Sequence, residues 1–459
     1  MTNKTIVPFL LTAALLVGCG TETAQPEPAA EVPASQADTS FIWATNVGGD
    51  AYVGIDGVEY EAESSVSGGT VGTMDKVKGS QDPTLYQSFR EGEITVDKAL
   101  PNGRYDVTFH FAEHTEIGGG ERVFDVVVNG ETRIQDVDVM AWRDGQIISG
   151  LTVGTAAVDV TDGMLSVRFE ASAGQAVLSA VVVRENRPRS DDWELVWSDE
   201  FDYEGPPDPA KWSYNIWPPG KVNLEEQYYT DRLKNVRVED DMLVVQAHLE
   251  DYEGAKYTSG RIHTEGKADF LYGRFDIRAK VPRGQGTWPA VWMLPTDPFR
   301  YATNCEAGED WQGSPTCDAW PNSGEIDILE HVGYQMGHVH GTVHNRAYFW
   351  MNWEQRKGRL IDNDVADEFH VYSVEWYEDR IDMFVDDVLY FTYMNEGSGW
   401  KAWPYDHAYN LIINIAMGGA WGSAGGPTDD SALPATLLID WVRIYQKHDE
   451  GMQANAVSN

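Results

Sequence analysis

Three carboxylates lie within six residues of this 459-residue chain: Glu325, Asp327 and Glu330, in "GEIDILE". Side chains on a β-strand alternate faces with a period of two. Glu325 and Asp327 would share a face and Glu330 would point away. A β-bulge at Ile328–Leu329 adds one residue and returns Glu330 to the face of the other two. Two carboxylates flanking a bond are the usual tools of glycoside hydrolysis, and a retaining enzyme holds them about 5 Å apart. Three acids this close repel one another, so at least one has a raised pKa and can serve as a proton donor at neutral pH. The competing reading of the spacing is a surface strand with acids on both faces, in a chain that carries 73 Asp and Glu.

The surroundings favour the chemical reading. In "GQGTWPAVWMLP", strand alternation places Trp288, Ala290, Trp292 and Leu294 on one face. Two Trp flanking a small Ala make a flat apolar floor with room above it. Trp320 lies just upstream of the acids, and Trp421 sits in "MGGAWGSAGG". Flat aromatic faces suit the apolar faces of pyranose rings. "GHVHGTVHN" puts His338, His340, Thr342 and His344 on one face. Without an open ligand set for zinc, a cleft histidine that hydrogen-bonds sugar or a catalytic Glu is the better reading.

These residues must be positioned by strands. From about Phe41 to Arg184, short alternating runs such as "GRYDVTFHFAE" and "RVFDVVVNGETR" are broken by turn signals such as "VNGE". They predict an all-β sandwich over 41–184, with Tyr105, Val107, Phe109 and Phe111 on its inner face. "ENRPRSDDW" supplies a linker at 185–192. A second β-rich domain spans 193–448, and residues 449–459 read as a disordered tail.

The N-terminus reads as an export signal. Lys4 precedes an apolar run from Ile6 to about Val17, too short for a standard spanning helix. Residues 19–40, rich in Pro, Ala, Glu and Thr, read as a flexible tether. In an exported chain the other two cysteines, Cys305 and Cys317, are expected to form a disulfide. The net charge of −39 disfavours nucleic acid and anionic polymers. A neutral glycan fits better.

The stretch "YTSGRIHTEGKADFLYGRFDIRAKVPRGQGTWPAVWMLP" together with "WPNSGEIDILEHVG" resembles glycoside hydrolase family 16, and within it the laminarinase-type β-1,3-glucanases. Lichenase-type relatives have one residue fewer between the acids and are less similar. The resemblance implies a β-jelly roll with a concave cleft, Glu325 as nucleophile, Asp327 as its electrostatic and proton-network partner, and Glu330 as general acid/base. It also implies donor-side sugar contacts at Trp288, Trp292, Trp320, Asn223, Arg261 and His344, and a structural calcium, away from the cleft, near Glu200 and Asp440. No cofactor is implied for catalysis.

"FIWATNVGGDAYVGIDG", "LYQSFR" and "FHFAE" resemble malectin domains. Malectin binds glucose disaccharides partly through an aromatic pair just after the FAE stretch. Here that place reads His114-Thr115-Glu116, so sugar binding and a spacer role both stay open. Deleting the domain is expected to leave activity on soluble oligosaccharides nearly unchanged. "LVGC" resembles the bacterial lipoprotein signal and implies cleavage after residue 18, lipidation of Cys19 and a lipid anchor at the outer membrane or cell surface; the protein is expected to be a monomer. The function expected is retaining hydrolysis of β-1,3-glucan. The alternatives are another family 16 specificity, such as mixed-linkage glucan, agar or carrageenan, or a non-catalytic glucan-binding protein.

Overall fold

A computed structural model describes residues 40–143, 145–146, 148–186 and 192–447. The signal segment, Cys19, nearly all of the tether, most of the linker and the C-terminal tail lie outside these residues.

In the first domain, two antiparallel sheets face each other. One contains Phe41–Asn46, Ala180–Glu185, Gly103–Ala112 and Gly150–Thr155. The other contains Ser88–Ala99, Met164–Ala173, Val123–Val128 and Glu131–Val137. Tyr105, Val107, Phe109 and Phe111 all enter the core between them, where Phe111 meets Phe124 and Phe169 edge-on. The alternating pattern foresaw this inner face. It did not foresee that Asp106, Thr108 and His110, on the other face of the same strand, are buried as well.

Tyr86 of the first domain meets His110 at 3.0 Å, and the second domain covers Asp106. There, Arg356–Ile361 pairs in parallel with Gly150–Thr155, with Gly358 opposite Thr152 and Ile361 opposite Thr155. One sheet therefore runs unbroken from the first domain into the second. Side chains bridge the same junction. Asp106 Oδ2 accepts from the Leu389 amide at 3.2 Å. Gln81 donates to the Met394 carbonyl at 2.8 Å and accepts from the Met394 amide at 2.7 Å. The two domains are thus joined by backbone pairing rather than by a linker alone. Removing 41–184 would bare the edge of Arg356–Ile361, a liability for any sheet, so the expectation of a dispensable first domain conflicts with this junction.

The second domain is a two-layer sandwich. Its concave layer runs, strand by strand, through Arg261–His263, Tyr409–Met417, Thr287–Pro295, Glu325–Glu330, His338–His344 and Arg356–Ile361. Its other layer includes Met242–Tyr252, Ala435–Lys447, Gly273–Lys280, His370–Trp376 and Arg380–Val385. Between the layers lie Ile326, Ile328, Leu329, Val343, Ile413, Val374 and Met383, all fully buried. Filling the gap with branched apolar side chains fixes which face of each concave strand looks outward.

Candidate active site

The acid strand shows how the bulge works. Against its neighbour His338–His344, Glu325 pairs with His344, Asp327 with Thr342 and Glu330 with His340. Three residues advance on one strand while two advance on the other. Against Thr287–Pro295 the same extra residue appears, with Asp327 opposite Trp292 and Leu329 opposite Val291. Ile328 and Leu329 both turn into the core. Glu325, Asp327 and Glu330 then line the same cleft, a cavity of about 540 Å³.

Each acid has a distinct setting. Trp320 donates its indole N–H to Glu325 Oε2 at 2.9 Å. Trp288 donates to Glu330 Oε1 at 3.1 Å. Burial raises the pKa of all three acids. Burial, with repulsion from Glu330 added to it, pushes Glu325 up to about 8, and burial with repulsion from both glutamates raises Asp327. Glu330 is pushed up to about 7, chiefly by burial, against the Trp288 N–H and the field of Lys357. The set titrates as one system and cannot carry three negative charges in so dry a place. The local interactions place the charge: Asp327 hydrogen-bonds to Glu325 in the sense that keeps the proton on Asp327, and the Trp320 N–H and the Arg261 guanidinium also favour the Glu325 anion.

His344 Nε2 lies 3.7 Å from Glu325 Oε1 and 3.6 Å from Asp327 Oδ2. Burial holds this imidazole down at about 3, so it is neutral at working pH. The other two histidines of its row serve elsewhere. The ring of His340 meets Trp421 at 4.9 Å and that of His338 meets Trp142 of the first domain at 4.7 Å. They do not gather into a zinc ligand set among the described residues.

The seven residues expected to contact sugar (Trp288, Trp292, Trp320, His344, Asn223, Arg261 and Trp421) all line the cleft. Arg261 is fully buried between the rings of Trp217 and Trp292, at 4.4 and 4.7 Å, and donates to Asn215 Oδ1 at 2.8 Å. Trp292 is fixed by its own N–H to Asn414 Oδ1 at 2.7 Å. Cys305 and Cys317 are bonded to each other and close the loop that brings Trp311 and Gln312 to the cleft. Glu200 and Asp440 do not line it. Glu200 accepts two N–H groups of Arg443 at 3.1 and 2.8 Å, and Asp440 is paired with Arg278. With each carboxylate matched by its own guanidinium, the pair as arranged does not fit a divalent cation.

Sequence reasoning missed part of the rim. Trp350, Met351 and Trp353 are about half exposed at the cleft edge. The aromatic run "YFWMNW" was their visible signal. It also missed Arg143 and Gln146, which reach the cleft from the first domain.

Residues 229–443 match the model of the glycosyl hydrolases family 16, and residues 41–188 match the malectin domain. A curated beta-glucanase of Rhodothermus marinus is 48% identical over 260 residues, covering 55% of this chain and 85% of that protein. The chain belongs to glycosyl hydrolases family 16. Among solved structures, the laminarinase from Rhodothermus marinus is 47% identical, with a TM-score of 0.51, over 56% of this family 16 chain and 98% of its own. A non-specific endo-beta-1,3(4)-glucanase, SCLam, is 37% identical with a TM-score of 0.51, over 57% of this chain and 97% of its own. That structure is of a mutant of SCLam, co-crystallised with 1,3-beta-D-cellotriosyl-glucose and presenting a 1,3-beta-D-cellobiosyl-glucose at the active site. These alignments span little more than half of this family 16 chain.

At the place of the aromatic pair that malectin uses, His114 turns inward while Thr115 and Glu116 are exposed. Glu113 is fully buried against Arg122, whose Nε donates to it at 2.6 Å. His114 stacks on Phe89 at 4.0 Å.

Proposed function

We propose that this family 16 chain is a retaining endo-β-1,3-glucanase acting on laminarin-like polysaccharide. The observation that carries the reading is the bulged strand, which turns three acids into one aromatic-floored cleft. Glu325, whose anion the Trp320 N–H, the Asp327 hydrogen bond and the Arg261 guanidinium all favour against a burial that pushes it up to about 8, attacks the anomeric carbon. Glu330, neutral below about pH 7, protonates the departing glycosidic oxygen and later takes a proton from water. Asp327 holds a proton against Glu325 and orients it. Trp288 and Trp320 combine two tasks: each donates to an acid and offers a ring face to sugar. The acidic surface suits a neutral glucan better than a sulfated one. Lipidation at Cys19 anchors the enzyme to an exported membrane surface in this reading, on the strength of the signal sequence.

The test is reducing-sugar release from laminarin, lichenan, agarose and carrageenan, with Glu325→Gln as the companion variant. Laminarin is expected to be the best substrate and the variant to be inactive on it. Product NMR at early times is expected to show the β-anomer first. Preference for agarose or carrageenan, or an α-anomer appearing first, would overturn the substrate or the mechanism respectively.

A further inference from the structure

The cleft has a wall that the catalytic domain does not supply. Along the continuous sheet, the strand of Arg261 lies three places to one side of the acid strand. The first-domain strand Gly150–Thr155 lies three places to the other. At about 4.8 Å per strand, that is roughly 14 Å on either side, more than one sugar ring. The segment leading into Gly150–Thr155 carries Arg143 and Gln146, and both border the same cavity as the acids.

The segment is held in place rather than merely near. The helix Val139–Trp142 ends in an indole lying 4.6 Å from the Arg359 guanidinium and edge-on to His338. Arg359 Nη2 donates to the Trp142 carbonyl at 3.2 Å. The Arg143 guanidinium packs onto Gly79, where an added Cβ would collide with it at 1.9 Å. Gly79 in turn donates to Glu354 Oε2 of the catalytic domain at 3.0 Å. Gln146 is half-buried, with its carboxamide oxygen 3.4 Å from Ser149 Oγ.

We propose that Gln146 is a glucan subsite residue supplied by the first domain, hydrogen-bonding hydroxyls of sugar units that lie on the Lys357 side of the acids. A carboxamide both donates and accepts, as a sugar hydroxyl does, and it carries no charge to repel or attract the acids. The first domain then acts by lengthening the catalytic cleft, not as a separate module that docks on polymer. This inference rests on the glucanase reading above.

The test is Gln146→Ala in the full chain, assayed on laminari-oligosaccharides of increasing length and on laminarin, with a melting curve to show that the fold is kept. The loss in kcat/KM is expected to grow with length and to reach about three- to tenfold on the polymer, mostly in KM, the worth of one net hydrogen bond. A loss that is the same at every length, or no loss at any length, overturns the proposal. Failure of the unmutated enzyme to cleave any of these substrates would instead refute the glucanase reading.

Discussion

Glu330→Gln is expected to make the protein more heat-stable at pH 8 while removing most of its turnover. Burial places the Glu330 carboxyl at about 7 against an ordinary value of 4.5. The folded state therefore binds more protons than the unfolded chain between those two values. The stability that goes with the protonated carboxyl is fully present below about pH 4.5 and is lost as pH rises through about 7. At about 1.4 kcal/mol per pH unit, full ionisation costs the fold about 3–4 kcal/mol. Glutamine is neutral at every pH, and its amide oxygen can still accept the Trp288 N–H that Glu330 Oε1 accepts now at 3.1 Å. The gain should be near zero at pH 4.5 and reach about 3 kcal/mol at pH 8, or on the order of 5 °C in a domain of this size. Calorimetric melting of both proteins at pH 4.5, 6 and 8, at fixed ionic strength, measures it. Laminarin turnover should fall by about 10²- to 10⁴-fold, with less loss on aryl glycosides whose leaving group needs no proton. A stability gain that is independent of pH, or largest at pH 4.5, would refute the assignment of a buried carboxyl that ionises reluctantly.

Arg261→Met removes the cation that favours the Glu325 anion; the acid limb of kcat/KM should move up by about one pH unit, read from a pH profile. Gln81→Ala leaves the Met394 amide and carbonyl without the partners that now meet them at 2.7 and 2.8 Å; denaturant unfolding should show a loss of about 1–3 kcal/mol, and an unchanged midpoint would argue against a tight junction. Cys19→Ser should move the protein from the sedimented membrane fraction to the soluble fraction of the producing cell, and unchanged sedimentation would count against a lipid anchor.

The acids and their floor were legible because strand periodicity is strict. A face that must bury Ile326, Ile328 and Leu329 leaves Glu325, Asp327 and Glu330 one common direction only if a residue is inserted, and both neighbouring strands show that insertion. Trp288 and Trp292 followed from the same alternation. The inner face of Gly103–Ala112 was legible for the same reason, whereas the burial of Asp106, Thr108 and His110 was not. Local pattern records which side chains are apolar, whereas Asp106 and His110 are polar residues held by partners outside their own strand, Leu389 for Asp106 and Tyr86 for His110.

The pairing of Gly150–Thr155 with Arg356–Ile361 is the plainest case of a feature decided only on folding. Backbone N–H and C=O groups make that contact, and every non-proline residue carries them, so no residue type announces it. The place of Gln146 on the cavity that holds the acids follows from that pairing, because a side chain reaches a cleft only where the sheet carries its strand. Glu200 and Asp440 show the converse. Their types suit a metal, but Arg443 and Arg278 came to lie against them. Residue chemistry along the chain named the reaction, and the meeting of two sheet edges 200 residues apart decided how far the cleft extends.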